Sequence, residues 1–203
     1  MFYGILKENP ITNGNRSLIG IFTTPLSILS EPQGVTVESI NFKRYGMEQA
    51  VQRWVIEAGI VPQDEPPDIF SDRLVNGDTG DIYIQMPQPY SRNNRQITGT
   101  PRIRTAAAKG ARKLETTGTF IPNVFICIGS YPSKVYLITS VNSTAQTIDI
   151  YPGLKNSMNI DTPIFHSENV IMHANYDNSV IKGVQYDNGI LANLGTLKLV
   201  EVI

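Results

Sequence analysis

The residues that could carry chemistry are few, and their spacing supports little of it. His166 and His173 lie seven positions apart. On alternating strand residues that spacing puts them on opposite faces, so the pair reads as ordinary sheet histidines and not as a joint ligand set or part of a triad. Cys127 stands between Ile126 and Ile128 and reads as a buried, inert thiol rather than a nucleophile. Asp64, Glu65 and Asp68 cluster where a helix is expected to begin, and acids there complement the helix dipole without any metal. Asp72, Asp78 and Asp81 flank the end of that helix and the next turn, and read as solvated loop acids. The sequence holds no phosphate-cradling glycine loop, no Gly-x-Ser-x-Gly elbow and no His-Glu-x-x-His pattern. The expectation is of no enzyme, with no catalytic residue, no metal and no cofactor.

One stretch is less neutral. Arg92, Arg95, Arg102, Arg104, Lys109, Arg112 and Lys113 fall between positions 92 and 113 with no acid among them, seven of the seventeen basic residues of the chain. Phosphate contact is the functional reading of such a zone. Single-strand binders interleave stacking aromatics with their positive charges, and residues 91–119 contain none; Tyr90 and Phe120 only flank them. The zone therefore reads as a solvated or partner-facing surface. Two rival functions stay open: a single-strand nucleic-acid binder using this flank, and a carbohydrate-binding module with Tyr131, Tyr136 and Tyr151 as first suspects. Trp54 alternates with Ile56 and Ala58 and is expected to anchor a core.

The elements that would position these residues are mainly strands. The chain has 203 residues, enough for one or two domains, with 41% hydrophobic and 17% charged residues and a net charge of -1. That balance excludes a disordered chain and a polyanion binder acting through bulk charge. A single cysteine excludes a disulfide framework. No apolar run reaches the roughly 18–20 residues of a membrane helix, and the start lacks the basic-then-apolar order of a signal peptide. Synthesis in the cytoplasm without membrane insertion is the expectation.

Sixteen glycines and thirteen prolines are spread along the whole length, a density that suits short strands and turns. Strands are expected at Val35–Phe42 with a bulge near Glu38–Ser39, at Gln52–Ala58, and at Asp81–Met86. A helix of about three turns is expected from Asp64 to Gly77, with Asp64 as cap and Pro66 and Pro67 in its first turn. After a loop-rich passage, Val124–Ile128, Lys134–Val141 and Gln146–Tyr151 read as an antiparallel set of the size of a small β-barrel. Pro163–Met172 reads as a further strand. Asp187-Asn188-Gly189 signals a tight turn between two more, and the chain stays strand-like through Thr196–Ile203.

The order of these features is similar to that of a known family. Gln52-Arg53-Trp54 precedes the helix ending Arg73-Leu74-Val75-Asn76-Gly77, and Ile82-Tyr83-Ile84-Gln85-Met86-Pro87 follows. Gly99-Thr100-Pro101, glycines at 110 and 118, and Phe120-Ile121-Pro122-Asn123-Val124-Phe125-Ile126 come next. The most specific part is Lys134-Val135-Tyr136-Leu137-Ile138-Thr139 followed by Ile148-Asp149-Ile150-Tyr151-Pro152-Gly153-Leu154. Over residues 35 to 165 the chain resembles the distal tail proteins, or baseplate hub-ring proteins, of long-tailed bacteriophages. It departs from their pattern at Asn123, where a Gly-Asp pair is usual, and at Pro152-Gly153, where Pro-Pro is usual.

The resemblance implies a mainly β chain with one short helix, built as a ring-forming β-sheet domain with an inserted OB-like β-barrel. By that analogy the ring domain covers 1–88 together with 166–203, and the barrel covers 89–165. It also implies a homo-oligomeric, hexameric ring in the virion, joining the tail tube protein to hub proteins of the tail tip or baseplate. DNA would pass through the lumen without specific binding. The apolar last strand is the expected subunit interface, through Leu197, Leu199, Val200 and Val202, by strand-edge pairing with a neighbouring copy. The basic stretch 92–113 is expected to face a partner or the outside, away from the lumen.

Overall fold

The computed structural model describes residues 3–6, 17–38, 44–62, 81–88, 97, 99–130, 134–177, 185–187, 190–193 and 196–202. In chain order the strands are β1 (Gly4–Leu6), β2 (Leu18–Glu38), β3 (Arg44–Pro62), β4 (Ile82–Gln85), β5 (Lys113–Glu115), β6 (Phe125–Ile128) and β7 (Val135–Asn142). They continue with β8 (Thr147–Tyr151), β9 (Ile164–His166), β10 (Ile171–Tyr176), β11 (Gln185–Asp187), β12 (Ile190–Asn193) and β13 (Thr196–Glu201). The mainly β expectation is met. The helical element among the described residues is one 3-10 turn, Ser167–Asn169. The helix expected at 64–77 lies outside the described residues.

Six strands close on themselves in the order β1-β2-β3-β13-β10-β4, every neighbouring pair antiparallel. The two-residue period of a strand sorts their side chains. Ile82, Ile84 and Met86 point inward, as do Met172 and Ala174, Trp54, Ile56, Ala58 and Ile60, and Leu197 and Leu199. Six strands enclose a space that side chains fill, so this barrel is a packed core and has no bore of its own.

The other sheet runs β5-β8-β7-β6-β9. Its two edges are joined by residues 101–104. On one side Ile103 N–H reaches Thr162 O at 2.9 Å and Ile164 N–H reaches Pro101 O at 2.9 Å. On the other, Arg104 N–H reaches Glu115 O and Thr117 N–H reaches Arg102 O, both at 2.8 Å. The continuous apolar run Val124–Ile128 has its reason here. Phe125 and Cys127 pack into the core of the first barrel, while Ile126 and Ile128 pack into the core of the second sheet. β6 is buried on both faces, and so it shows no polar alternation.

Three local expectations change. Of the strand expected at Val35–Phe42, Val35–Glu38 is the far end of a strand that begins at Leu18, with irregular register between Phe22 and Leu26 and between Pro32 and Gly34; residues 39–42, and with them the bulge expected at Glu38–Ser39, reach outside the described residues. Gln52–Ala58 is the middle of a strand of 19 residues. Pro163–Met172 is two strands. β9 belongs to the second sheet, β10 to the barrel, and the turn Ser167–Asn169 carries the chain between them. The hairpin of β11 and β12 is present as expected. No helix among the described residues is long and apolar enough to cross a membrane.

Candidate functional site

The most heavily engineered-looking chemistry of the chain lies where the second sheet caps the barrel. Leu197 and Leu199 face inward on β13, and the same period brings Glu201 to that face at the barrel end. Its carboxylate is 2% exposed and pairs with Lys134, itself 5% exposed, just before β7. Glu201 Oε2 also accepts the Trp54 N–H at 3.0 Å, and Oε1 accepts the Val135 N–H at 3.0 Å. Lys134 Nζ donates a further bond to Gln52 O at 2.6 Å. Burial is the leading cause of both pKa shifts: it raises the Glu201 carboxyl and lowers the Lys134 ammonium, and mutual attraction opposes each shift without cancelling it.

Trp54 completes the joint as the expected core anchor, at 4% exposure. Its indole N–H reaches Val135 O at 2.8 Å, and its ring meets Phe125 and Tyr151 edge to face, at 5.3 and 6.2 Å between centroids. Gln88 adds a reciprocal amide clasp: its Oε1 accepts the Phe125 N–H at 3.0 Å and its Nε2 donates to Phe125 O at 3.2 Å. Lys134, Val135 and Phe125 each bond to a group on the barrel side, so most of these contacts also hold the two sheets together. The cluster contains no nucleophile beside a base, so its chemistry is adhesion.

The histidines do not meet. His166 ends β9 in the second sheet, with its ring nitrogens near Ser167 Oγ at 3.0 Å and Gly99 O at 3.1 Å. His173 is on β10 of the barrel, 2.7 Å from Asp81 Oδ1 and stacked on Tyr83. They belong to different sheets, which replaces the one-strand argument made from their spacing. Cys127 is fully buried, its thiol 3.7 Å from Ile171 O. Among the described residues no group of three or more His, Cys, Asp or Glu side chains could hold a metal ion.

Arg102, Arg104, Lys109, Arg112 and Lys113 are all exposed, the first two on the passage that joins the edges of the second sheet and Lys113 at the start of β5. Two are braced: Arg102 Nη1 donates to Asp161 O and Arg104 Nη1 to Gln146 Oε1, both at 2.8 Å. Arg92 and Arg95 lie outside the described residues. Two of the three suspected sugar-binding rings are described. Tyr136 is buried, and its hydroxyl accepts the Lys155 N–H at 3.1 Å; Tyr151 packs on Trp54 and shares a 3.0 Å hydrogen bond with Ser30. Tyr131 lies outside the described residues.

The last strand differs from its expected use. β13 sits between β3 and β10, so both of its edges are paired within the chain. Leu197 and Leu199 are core residues, Val200 is half-buried, and Val202 is exposed. The pairing with β3 covers Thr196–Val200 and that with β10 covers Leu199–Glu201, so these strands occupy backbone groups that edge addition to a neighbouring copy would use.

Open edges exist elsewhere, and the pattern of the sequence did not mark them. β2 and β3 pair with each other from Gly20↔Pro62 out to Glu38↔Arg44. β1 covers the outer edge of β2 only as far as Phe22, and β13 covers the outer edge of β3 only from Val55. Beyond those points β2 and β3 run on as a two-stranded ribbon, with Leu26, Ile28 and Trp54 still on the core, and among the described residues no further strand pairs with either outer edge.

No family model and no curated protein matches the chain. What the fold itself defines is a class: a mainly β chain in which an antiparallel barrel is capped by a second antiparallel sheet and extended by a long hairpin.

Proposed function

We propose that this chain is a structural protein of a bacteriophage tail, a distal tail or baseplate hub component that assembles as a six-membered ring in the virion. The ring joins the tail tube to the tip and lets DNA pass. The observation that carries the reading is the ribbon of β2 and β3, whose outer edges pair with no further strand among the described residues. A two-stranded hairpin alone is marginal in water, and a row of free N–H and C=O groups is a template for another strand. The two edges differ, one belonging to β2 and one to β3. Pairing the first edge of one copy with the second edge of the next is a head-to-tail contact, the kind that closes rings. The filled barrel adds to this: a passage for DNA has to lie between copies, not inside one.

The resemblance in residue order supplies the phage setting and the copy number. In this reading the second sheet is the OB-like inserted unit, 1–88 with 166–203 is the ring domain, and the exposed basic residues point away from the lumen, where phosphate would otherwise be held. Light scattering on the purified chain tests it against a variant in which residues 35–47 are replaced by Asn-Gly. The full chain should give the mass of six copies and the shortened one the mass of one, with the same β circular dichroism. Six copies from the shortened chain would overturn the role of the ribbon.

A further inference from the structure

A cleft of about 390 Å³ opens on the second sheet, at the lower end of the range for small-molecule sites. It lies between the end of β6 and the passage 155–163 that follows β8. Its floor is Ile128 and Tyr136, and its walls carry Lys155, Asn156, Ser157 and Asn159. Among the described residues no carboxylate lines it. Two ammonium groups do, and they differ in kind. Lys134 is already matched by Glu201. Lys155 is exposed and has no ion-pair partner among the described residues, and its charge acts on Lys134 by repulsion. The Tyr136 hydroxyl accepts the Lys155 N–H, which leaves the phenolic proton as a donor. Burial pushes that phenol up to about 12, so it keeps its proton throughout the physiological range.

The lining sorts the candidate ligands. An apolar molecule would strand amide and hydroxyl groups without partners. A cation would meet two ammonium groups and no acid. A flat base would find no ring face among the described residues, since Tyr136 is buried among core residues. Side-chain amides and hydroxyls beside one uncompensated cation match a ligand with many hydroxyls and one negative group. We propose that this cleft binds a small hydroxyl-rich anion, a sugar acid or sugar phosphate, with Lys155 pairing with the anionic group and Asn156, Ser157 and Asn159 holding its hydroxyls. The lining residues belong to neither strand of the ribbon, so the proposal stands or falls apart from ring assembly.

Titration calorimetry on the full chain tests it with four probes: glucuronate, glucose 6-phosphate, neutral glucose and inorganic phosphate. At least one of the first two should bind saturably, and the better of them identifies carboxylate or phosphate as the preferred group. Glucose and inorganic phosphate should each be weaker by about tenfold or more. Lys155→Gln should weaken the better ligand by about tenfold while leaving the melting temperature and the oligomeric mass unchanged. Asn156→Ala should weaken the sugar anion but not inorganic phosphate. Equal binding of glucose and glucuronate, insensitivity to Lys155→Gln, or no heat with either sugar anion at about 10 mM would overturn the assignment.

Discussion

The indole nitrogen of Trp54 donates a 2.8 Å hydrogen bond to the carbonyl oxygen of Val135. Trp54 lies on β3 of the barrel and Val135 opens β7 of the second sheet, so one side chain fastens one sheet to the other. Trp54→Phe keeps an aromatic ring against Phe125 and Tyr151 but removes the donor and some volume. The buried carbonyl then loses its partner, and a loss of about 2–4 kcal/mol is expected from urea denaturation.

Glu201 answers three donors at once: the Lys134 ammonium and the backbone N–H groups of Trp54 and Val135. Glu201→Ala leaves the two backbone N–H groups without an acceptor and the Lys134 ammonium with Gln52 O but no counter-charge, and a loss of about 3–5 kcal/mol should follow. Replacing both members, as in Lys134→Met with Glu201→Leu, ordinarily rescues a buried ion pair. Here it still strands two backbone donors, at about 1–3 kcal/mol each. The double variant should therefore remain less stable than the parent chain, as read from denaturation midpoints.

The same pair sets a pH dependence. Burial raises the Glu201 pKa above its ordinary value of 4.5 in the folded chain. As pH rises through 4.5 the unfolded chain releases this proton first, so stability from this group is greatest below that value and declines until the folded pKa is passed. Lys134, lowered from 10.5, works in the opposite direction: below 10.5 the unfolded chain takes up the proton first, and stability declines as pH falls to the folded pKa. Compared with Glu201→Gln, which cannot titrate, the parent chain should lose relative stability as pH is raised above 4.5. Paired denaturation curves across that range check the sign.

Arg102 and Arg104 separate the ring reading from a nucleic-acid binder. Their guanidinium groups are braced by Asp161 O and Gln146 Oε1 on an exposed surface, where such contacts contribute about 0–1 kcal/mol. Arg102→Ala with Arg104→Ala should leave the assembled mass unchanged and the melting temperature nearly so. Fluorescence anisotropy with a single-stranded oligonucleotide should show no salt-sensitive binding to lose. A strong, salt-dependent affinity that disappears in the double variant would favour the nucleic-acid reading.

Patterns carried by single strands were legible in the residues. Ile82, Ile84 and Met86, the alternation of Trp54 with Ile56 and Ala58, and the unbroken run at Val124–Ile128 each state their burial directly, because a strand repeats every two residues. Pairing partners were not legible. Nothing local in Leu197–Val202 says that β3 and β10 will take both edges, since those partners are far away in sequence. The ribbon was concealed for another reason. Pro25, Pro32 and Gly34 read as punctuation, yet β2 passes through all three, with its register shifting at Phe22–Leu26 and Pro32–Gly34. Glu201 was hidden by its type: an acid in an apolar strand reads as solvent-facing, and only the arrival of Lys134 from the second sheet makes its burial tolerable.

Negative-stain electron microscopy of the purified full-length chain tests the central claim most directly. Rings with six-fold symmetry around an open centre, with the second sheet as an outer lobe, are the result expected. A field of solitary particles at every concentration would contradict it.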